Sequence, residues 1–122
     1  MNIIDPLDIK GKENNFLNNN IYSNEYIKLA DKWSKFPVYS DKNNLKQFYK
    51  LLDTKQVILV VSGTGSGKTV IIPKLILKYM NYNKIEGVTA ITNPKILTTL
   101  NNAEFGALTL DVKLGEEVGY RY

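Results

Sequence analysis

The sequence predicts an α/β fold: a partial parallel sheet with flanking helices, preceded by a helical N-terminal segment. Three observations predict it. Val57-Ile58-Leu59-Val60-Val61 is an uncharged run of β-branched and aliphatic residues, the composition of a strand buried on both faces. That run feeds directly into the glycine-rich stretch Ser62-Gly63-Thr64-Gly65-Ser66-Gly67-Lys68-Thr69, and an apolar-periodic segment follows. A second run, Gly87-Val88-Thr89-Ala90-Ile91-Thr92, comes after a polar connection. Strand, helix and strand over about thirty-five residues make a βαβ unit, expected to be parallel and right-handed.

Taken in order, the chain divides into three. Residues 1–23 are polar and Asn-rich and read as a flexible arm, with Ile3, Ile4, Phe16 and Ile21 scattered along it and Gly11 within it. Residues 24–54 form a helical lead-in. Asn24 is positioned to cap a helix over 24–36 whose Tyr26, Ile27, Ala30 and Trp33 share a face. Phe36-Pro37-Val38-Tyr39 breaks it, and Ser40 or Asp41 caps a second helix through about Asp53. There Leu45, Phe48, Tyr49 and Leu52 follow the i, i+3, i+4, i+7 rule. Trp33 and Phe36 read as core, although an aromatic at this place could also stack on a base.

Residues 55–122 hold the strands. Val70–Met80 reads as the helix after the glycine-rich loop, with Pro73 expected to bend it or reset it after one turn. Asn93 is placed to cap a further helix, with Pro94 at its first position and its end toward Leu108 or Leu110. Gly119-Tyr120-Arg121-Tyr122 looks like the start of a third strand. A sheet of this kind has about five strands, so the strand edge near Tyr122 is expected to be open.

The loop carries the chemistry. Gly63, Gly65 and Gly67 let the backbone turn tightly and bring its N–H groups to phosphate oxygens. The helix that begins there adds free N–H groups and the positive end of its dipole. Lys68 is placed to reach β- and γ-phosphates, and the Thr69 hydroxyl to ligate Mg²⁺. The common pattern opens with Gly, and here that position is Ser62. Strand, loop and helix in register are the context a phosphate-binding loop requires.

Composition sets limits. Hydrophobic residues make up 43% of the 122, as in a globular chain with a modest core. With no Cys and no His, disulfides, thiolate or imidazole zinc sites and histidine general-base catalysis are excluded. No apolar run has membrane-spanning length, and the N-terminus lacks a secretion-signal layout. An intracellular setting is expected, cytoplasmic or in a viral factory or virion. The net charge is +4 and Arg121 is the sole arginine. This Lys- and Asn-rich bias fits an AT-rich genome, such as that of a large DNA virus, as well as it fits a polyanionic partner.

Further stretches narrow the reading. Thr92-Asn93-Pro94-Lys95 resembles the Thr-Gln-Pro-Arg segment of DEAH-box (DExH) superfamily 2 helicases. Leu114-Gly115-Glu116-Glu117-Val118-Gly119-Tyr120 resembles the segment of the same residues that follows in that family. Ser62–Thr69, Ile72-Pro73 and Phe36-Pro37-Val38-Tyr39 also resemble family segments, so the similarity covers residues 34–122 in order. It implies that residues 55–122 belong to the first of two RecA-like domains of an ATPase that moves on nucleic acid, RNA for the most part. It implies ATP and Mg²⁺ at Ser62–Thr69, and a nucleic-acid backbone contact at Thr92, Asn93, Pro94 and Lys95. The family's usual Arg after that contact is Ile96 here. Independently, a loop that opens a helix offers N–H groups to phosphate, although a helix cap alone would also explain Thr92-Asn93-Pro94.

The family's Asp-Glu-x-His segment, its second domain and its arginine finger have no counterpart in the 122 residues. No catalytic residue is therefore assignable, and Glu116-Glu117 reads as a structural or solvated pair. The expectation is the ATP-binding front of a helicase, inactive alone, completed by a C-terminal half or by a partner chain along the open sheet edge. The alternatives are a non-catalytic remnant serving as a structural or interaction protein, and a small-molecule kinase. The Thr92 and Leu114 segments speak against the kinase.

Overall fold

A computed structural model describes residues 5–8 and 14–122; Ile3, Ile4 and Gly11 lie outside the described residues. Among the described residues five helices account for about half of the chain: α1 (Asn24–Trp33), α2 (Pro37–Ser40), α3 (Lys42–Thr54), α4 (Lys68–Tyr82) and α5 (Ile96–Leu110). The caps explain the boundaries. Ser23, not Asn24, caps α1, its Oγ accepting from the Tyr26 N–H at 3.1 Å. Asp41 caps α3, its carboxylate accepting from the Asn44 N–H at 3.1 Å. Phe36-Pro37-Val38-Tyr39 does more than end the first helix. Pro37 opens the one-turn helix α2, where its missing N–H costs nothing. Pro73 lies within α4, and the helix runs on through it to Tyr82.

The expected α/β fold is not found. Among the described residues there is no β-strand, and the only bridge is the isolated pair Leu114 and Val118. The reason is pairing. An extended segment becomes a strand only beside another, with backbone groups bonded across about 4.8 Å. Outside the helices, no backbone–backbone hydrogen bond among the described residues involves 57–61 or 88–92. Their side chains are correspondingly bare: Val57 and Leu59 are each 87% exposed and Val88 is 91% exposed. The pattern of a doubly buried strand is thus present in the sequence without the cover that pattern requires. Residues 119–122 likewise run without strand structure.

The core is helical. Tyr26, Ala30 and Trp33 of α1, Tyr39 of α2, Leu45 and Tyr49 of α3, and Val70, Ile71 and Leu75 of α4 pack together, with Leu7 and Tyr22 from the N-terminal stretch. Phe36, Val38 and Phe48 pack against this cluster half-buried. Tyr22 stacks on Tyr26 with ring centroids 4.4 Å apart, and Tyr26 meets Trp33 edge-on at 5.8 Å, both favourable ring geometries. Trp33 is a core residue.

The described part of the Asn-rich stretch is anchored. Asn15 is buried, and its Nδ2 donates to the Leu110 and Asp111 carbonyls at 2.8 and 3.1 Å. Those are carbonyls at the end of α5, which the helix itself leaves unpaired. One ion pair ties the same stretch to α4, Lys78 with Asp8, and the Tyr22 hydroxyl donates to the same carboxylate at 2.7 Å from within the stretch.

Candidate functional site

The loop 62–69 links the extended run 57–61 to α4. Two of its glycines are left-handed, Gly65 at φ +78° and Gly67 at φ +95°. Gly67 is the N-cap of α4, so Lys68 and Thr69 occupy the helix's first two positions. A side chain at either φ is strained, which accounts for glycine at both places. The loop's carbonyls are largely occupied. Gly63 O accepts from the Ser66 N–H at 3.3 Å, Ser66 O from the Val38 N–H at 3.2 Å, and Gly67 O from the Ile71 N–H at 2.9 Å. Lys68 Nζ folds back to donate to Ser62 O, and the Ser62 and Ser66 hydroxyls bond each other at 2.8 Å.

Exposure divides the loop. Gly63, Thr64, Gly65 and Thr69 are exposed, Ser62, Gly67 and Lys68 half-buried, and Ser66 buried. Ser66 thus anchors the loop, and the glycine crest faces solvent. The helix start leaves N–H groups without intrahelical partners and places the positive end of the α4 dipole there. Chemically this is a place for an anion with several oxygens. For a metal, the donor set is one exposed hydroxyl, Thr69. Among the described residues no group of three acidic, His or Cys side chains gathers elsewhere. One protein oxygen fits Mg²⁺ carried in on phosphate oxygens, since Mg²⁺ keeps waters and takes few protein ligands.

Thr92, Asn93, Pro94 and Lys95 stand before α5. Thr92, Pro94 and Lys95 are exposed, and Asn93 is half-buried, its Oδ1 accepting from Asn102 Nδ2 at 2.9 Å. The helix begins two residues later than expected, with Lys95 at the N-cap and no side-chain capping bond. Asn93 therefore braces the loop against α5 instead of capping it. Glu116 and Glu117 are exposed, and Glu117 accepts from the Lys113 N–H at 3.2 Å.

Sequence reasoning missed the contact between Phe36 and the loop. A Cβ built on Gly67 would lie 2.6 Å from both Cβ and Cδ2 of Phe36, so the glycine rests directly on that side chain. The signal for this contact in the sequence is the Phe36-Pro37-Val38-Tyr39 segment itself.

No protein-family model matches the chain. Individual proteins do. It is 48% identical over 116 residues, 95% of its length, to the Acanthamoeba polyphaga mimivirus protein L540, which bears the name of an ATP-dependent RNA helicase. It is 38% identical over 87 residues to the ATP-dependent RNA helicase HrpA of Borreliella burgdorferi. It is 33% identical over 84 residues to DHR2 of Saccharomyces cerevisiae, also named for that activity. The chain spans only 16%, 10% and 11% of those three proteins.

Proposed function

Because the chain is homologous to DEAH-box ATP-dependent RNA helicases along most of its length, we propose that it is the ATP-binding portion of such an enzyme. In this reading the loop 62–69 holds the nucleotide phosphates. The observation that carries it is the loop's form: two left-handed glycines deliver Lys68 and Thr69 to the first turn of α4. Lys68 exchanges its bond to Ser62 O for phosphate oxygens, and the Thr69 hydroxyl is offered to the nucleotide's Mg²⁺. ATP and Mg²⁺ supply the phosphoryl chemistry when bound. What these residues contribute is positioning and charge.

The segment 92–95 contacts the backbone of single-stranded RNA. Its support is the likeness of sequence, the exposure of Thr92 and Lys95, and the uncapped start of α5 beside them. A viral source fits the mimivirus relative. Among the described residues no helix is long and apolar enough to cross a membrane.

The test is ATP hydrolysis by the full-length protein, with and without single-stranded RNA. Lys68→Ala should abolish turnover and analogue binding, because the phosphates lose their one loop cation. Turnover that survives this change refutes the reading. Lys95→Ala should weaken RNA binding evenly across sequences and lower the log–log salt slope by about 0.7. An unchanged slope would remove 92–95 from the interface.

A further inference from the structure

We propose that Phe36 and Val38 are positioning residues for the phosphate-binding loop, holding it in its anion-accepting form from below. The proposal rests on the nucleotide reading of loop 62–69. Phe36 supplies a surface. Gly67, at φ +95°, packs on the Phe36 side chain so closely that a Cβ there would sit at 2.6 Å. Val38 supplies a direction. Its N–H donates to Ser66 O at 3.2 Å from outside the loop. A backbone that presents N–H groups to an anion must turn its carbonyls the other way, and that carbonyl needs a partner once the residue is buried. Ser66 is buried, and Val38 provides the partner.

The support is itself rigid. The Phe36 N–H donates to Trp33 O at 3.0 Å, at the end of α1, and Phe36 O accepts from the Tyr39 and Ser40 N–H groups at 2.9 Å. Phe36 is the N-cap of α2, with extended φ and ψ that Pro37 enforces on the residue before it. Trp33 and Tyr39, on either side, are core residues. The α1–α2 junction is thereby a fixed platform, and the loop's geometry is set by residues far upstream in the sequence. A site that depends on N–H groups aimed within a fraction of an ångström gains from such support.

The experiment titrates a fluorescent ATP analogue into the full-length protein and follows amide hydrogen exchange of Gly65–Thr69 without nucleotide. Phe36→Ala is compared with Phe36→Leu, Lys68→Ala and Leu52→Ala, the last a packing control half-buried against the same core. Phe36→Ala should weaken analogue binding by ~10-fold or more and speed loop exchange. Phe36→Leu should restore most of both. Leu52→Ala should lower the melting temperature comparably yet leave affinity within about twofold. Wild-type-like binding and loop protection in Phe36→Ala would overturn the proposal, as would an equal loss of affinity in Leu52→Ala. If wild type and Lys68→Ala fail alike to hold the analogue, it is the nucleotide reading that falls. Loop exchange then still decides the positioning role, unchanged protection in Phe36→Ala refuting it.

Discussion

Lys74 is an amine in the core, 0% exposed. Its Nζ donates to the Tyr26 hydroxyl and lies 4.0 Å from the Tyr26 ring centroid and 5.2 Å from that of Tyr22. The Tyr26 hydroxyl in turn donates to Leu7 O at 2.7 Å. The charges facing this amine are Asp8, Asp5 and Asp111, which favour the cation, and Lys78, which opposes it; burial dominates and lowers Lys74 to about 7. The folded state therefore binds fewer protons than the unfolded chain between pH 7 and the ordinary lysine range. Stability rises with pH across that window and is lost as pH falls toward 7. Wild-type unfolding free energy should climb by roughly 2–3 kcal/mol between pH 7 and 9.5. Lys74→Met should flatten that slope, as read by urea titration at several pH values. An unaltered slope would move the titration elsewhere. Tyr39 and Tyr49, whose phenols burial and then Asp5 raise well above the usual range, act only at higher pH. The burial of Lys74 was half legible in sequence. Ile71, Leu75 and Lys78 share its helical face, but composition alone assigns every lysine to water. Gly65 and Gly67 were legible, because their positive φ admits little else.

At the scale of elements, α1 and α5 are joined end to end by one carboxylate. Asp111, left-handed at φ +55°, ends α5, with the Val112 N–H returning to Ala107 O at 3.0 Å, a terminus that usually takes glycine. Its side chain accepts from the Ser23 N–H at 2.7 Å and from Ser23 Oγ at 2.8 Å. Ser23 meanwhile caps α1. Ser23→Ala should cost about 1–2 kcal/mol, since a cap and a bridge go together. A double-mutant cycle with Asp111→Asn should show coupling above about 0.5 kcal/mol in chemical denaturation. Additive losses would mean that the two ends are fixed independently. Helices α1, α3 and α4 were readable from apolar spacing and caps, within a few residues. The Ser23–Asp111 junction was not, because a bond between residues 88 positions apart leaves no periodic trace. Strand and helix also differ in what sequence can say of them. A helix closes its own hydrogen bonds within four residues, so 68–82 forms on local information. A strand depends on a neighbour that no local pattern specifies.

That difference shapes the whole molecule. The helical core gathers the aromatic and aliphatic residues of α1–α4, while Val57, Leu59, Val61, Val88, Ile91 and Leu97 remain outside it. Between the run 58–62 and helices α2 and α3 lies a cavity of about 330 Å³, lined in part by Val38, Leu45, Phe48 and Leu51. The run therefore leans on the helices loosely and does not complete a layer. Exposed apolar surface of this extent binds hydrophobic dyes and promotes association. The 122-residue chain should show a far-ultraviolet spectrum about half helical, with no amide-I sheet band, together with strong dye binding at neutral pH. Replacing Val57, Leu59 and Val61 together by Thr should lower dye binding at least about twofold and leave helix content unchanged, because none of the three is a core residue. A loss of helix on that replacement would show that the run supports the helical core after all. A sheet band in the unaltered chain would show that the extended runs find partners, among themselves or between molecules, that the helical structure does not provide.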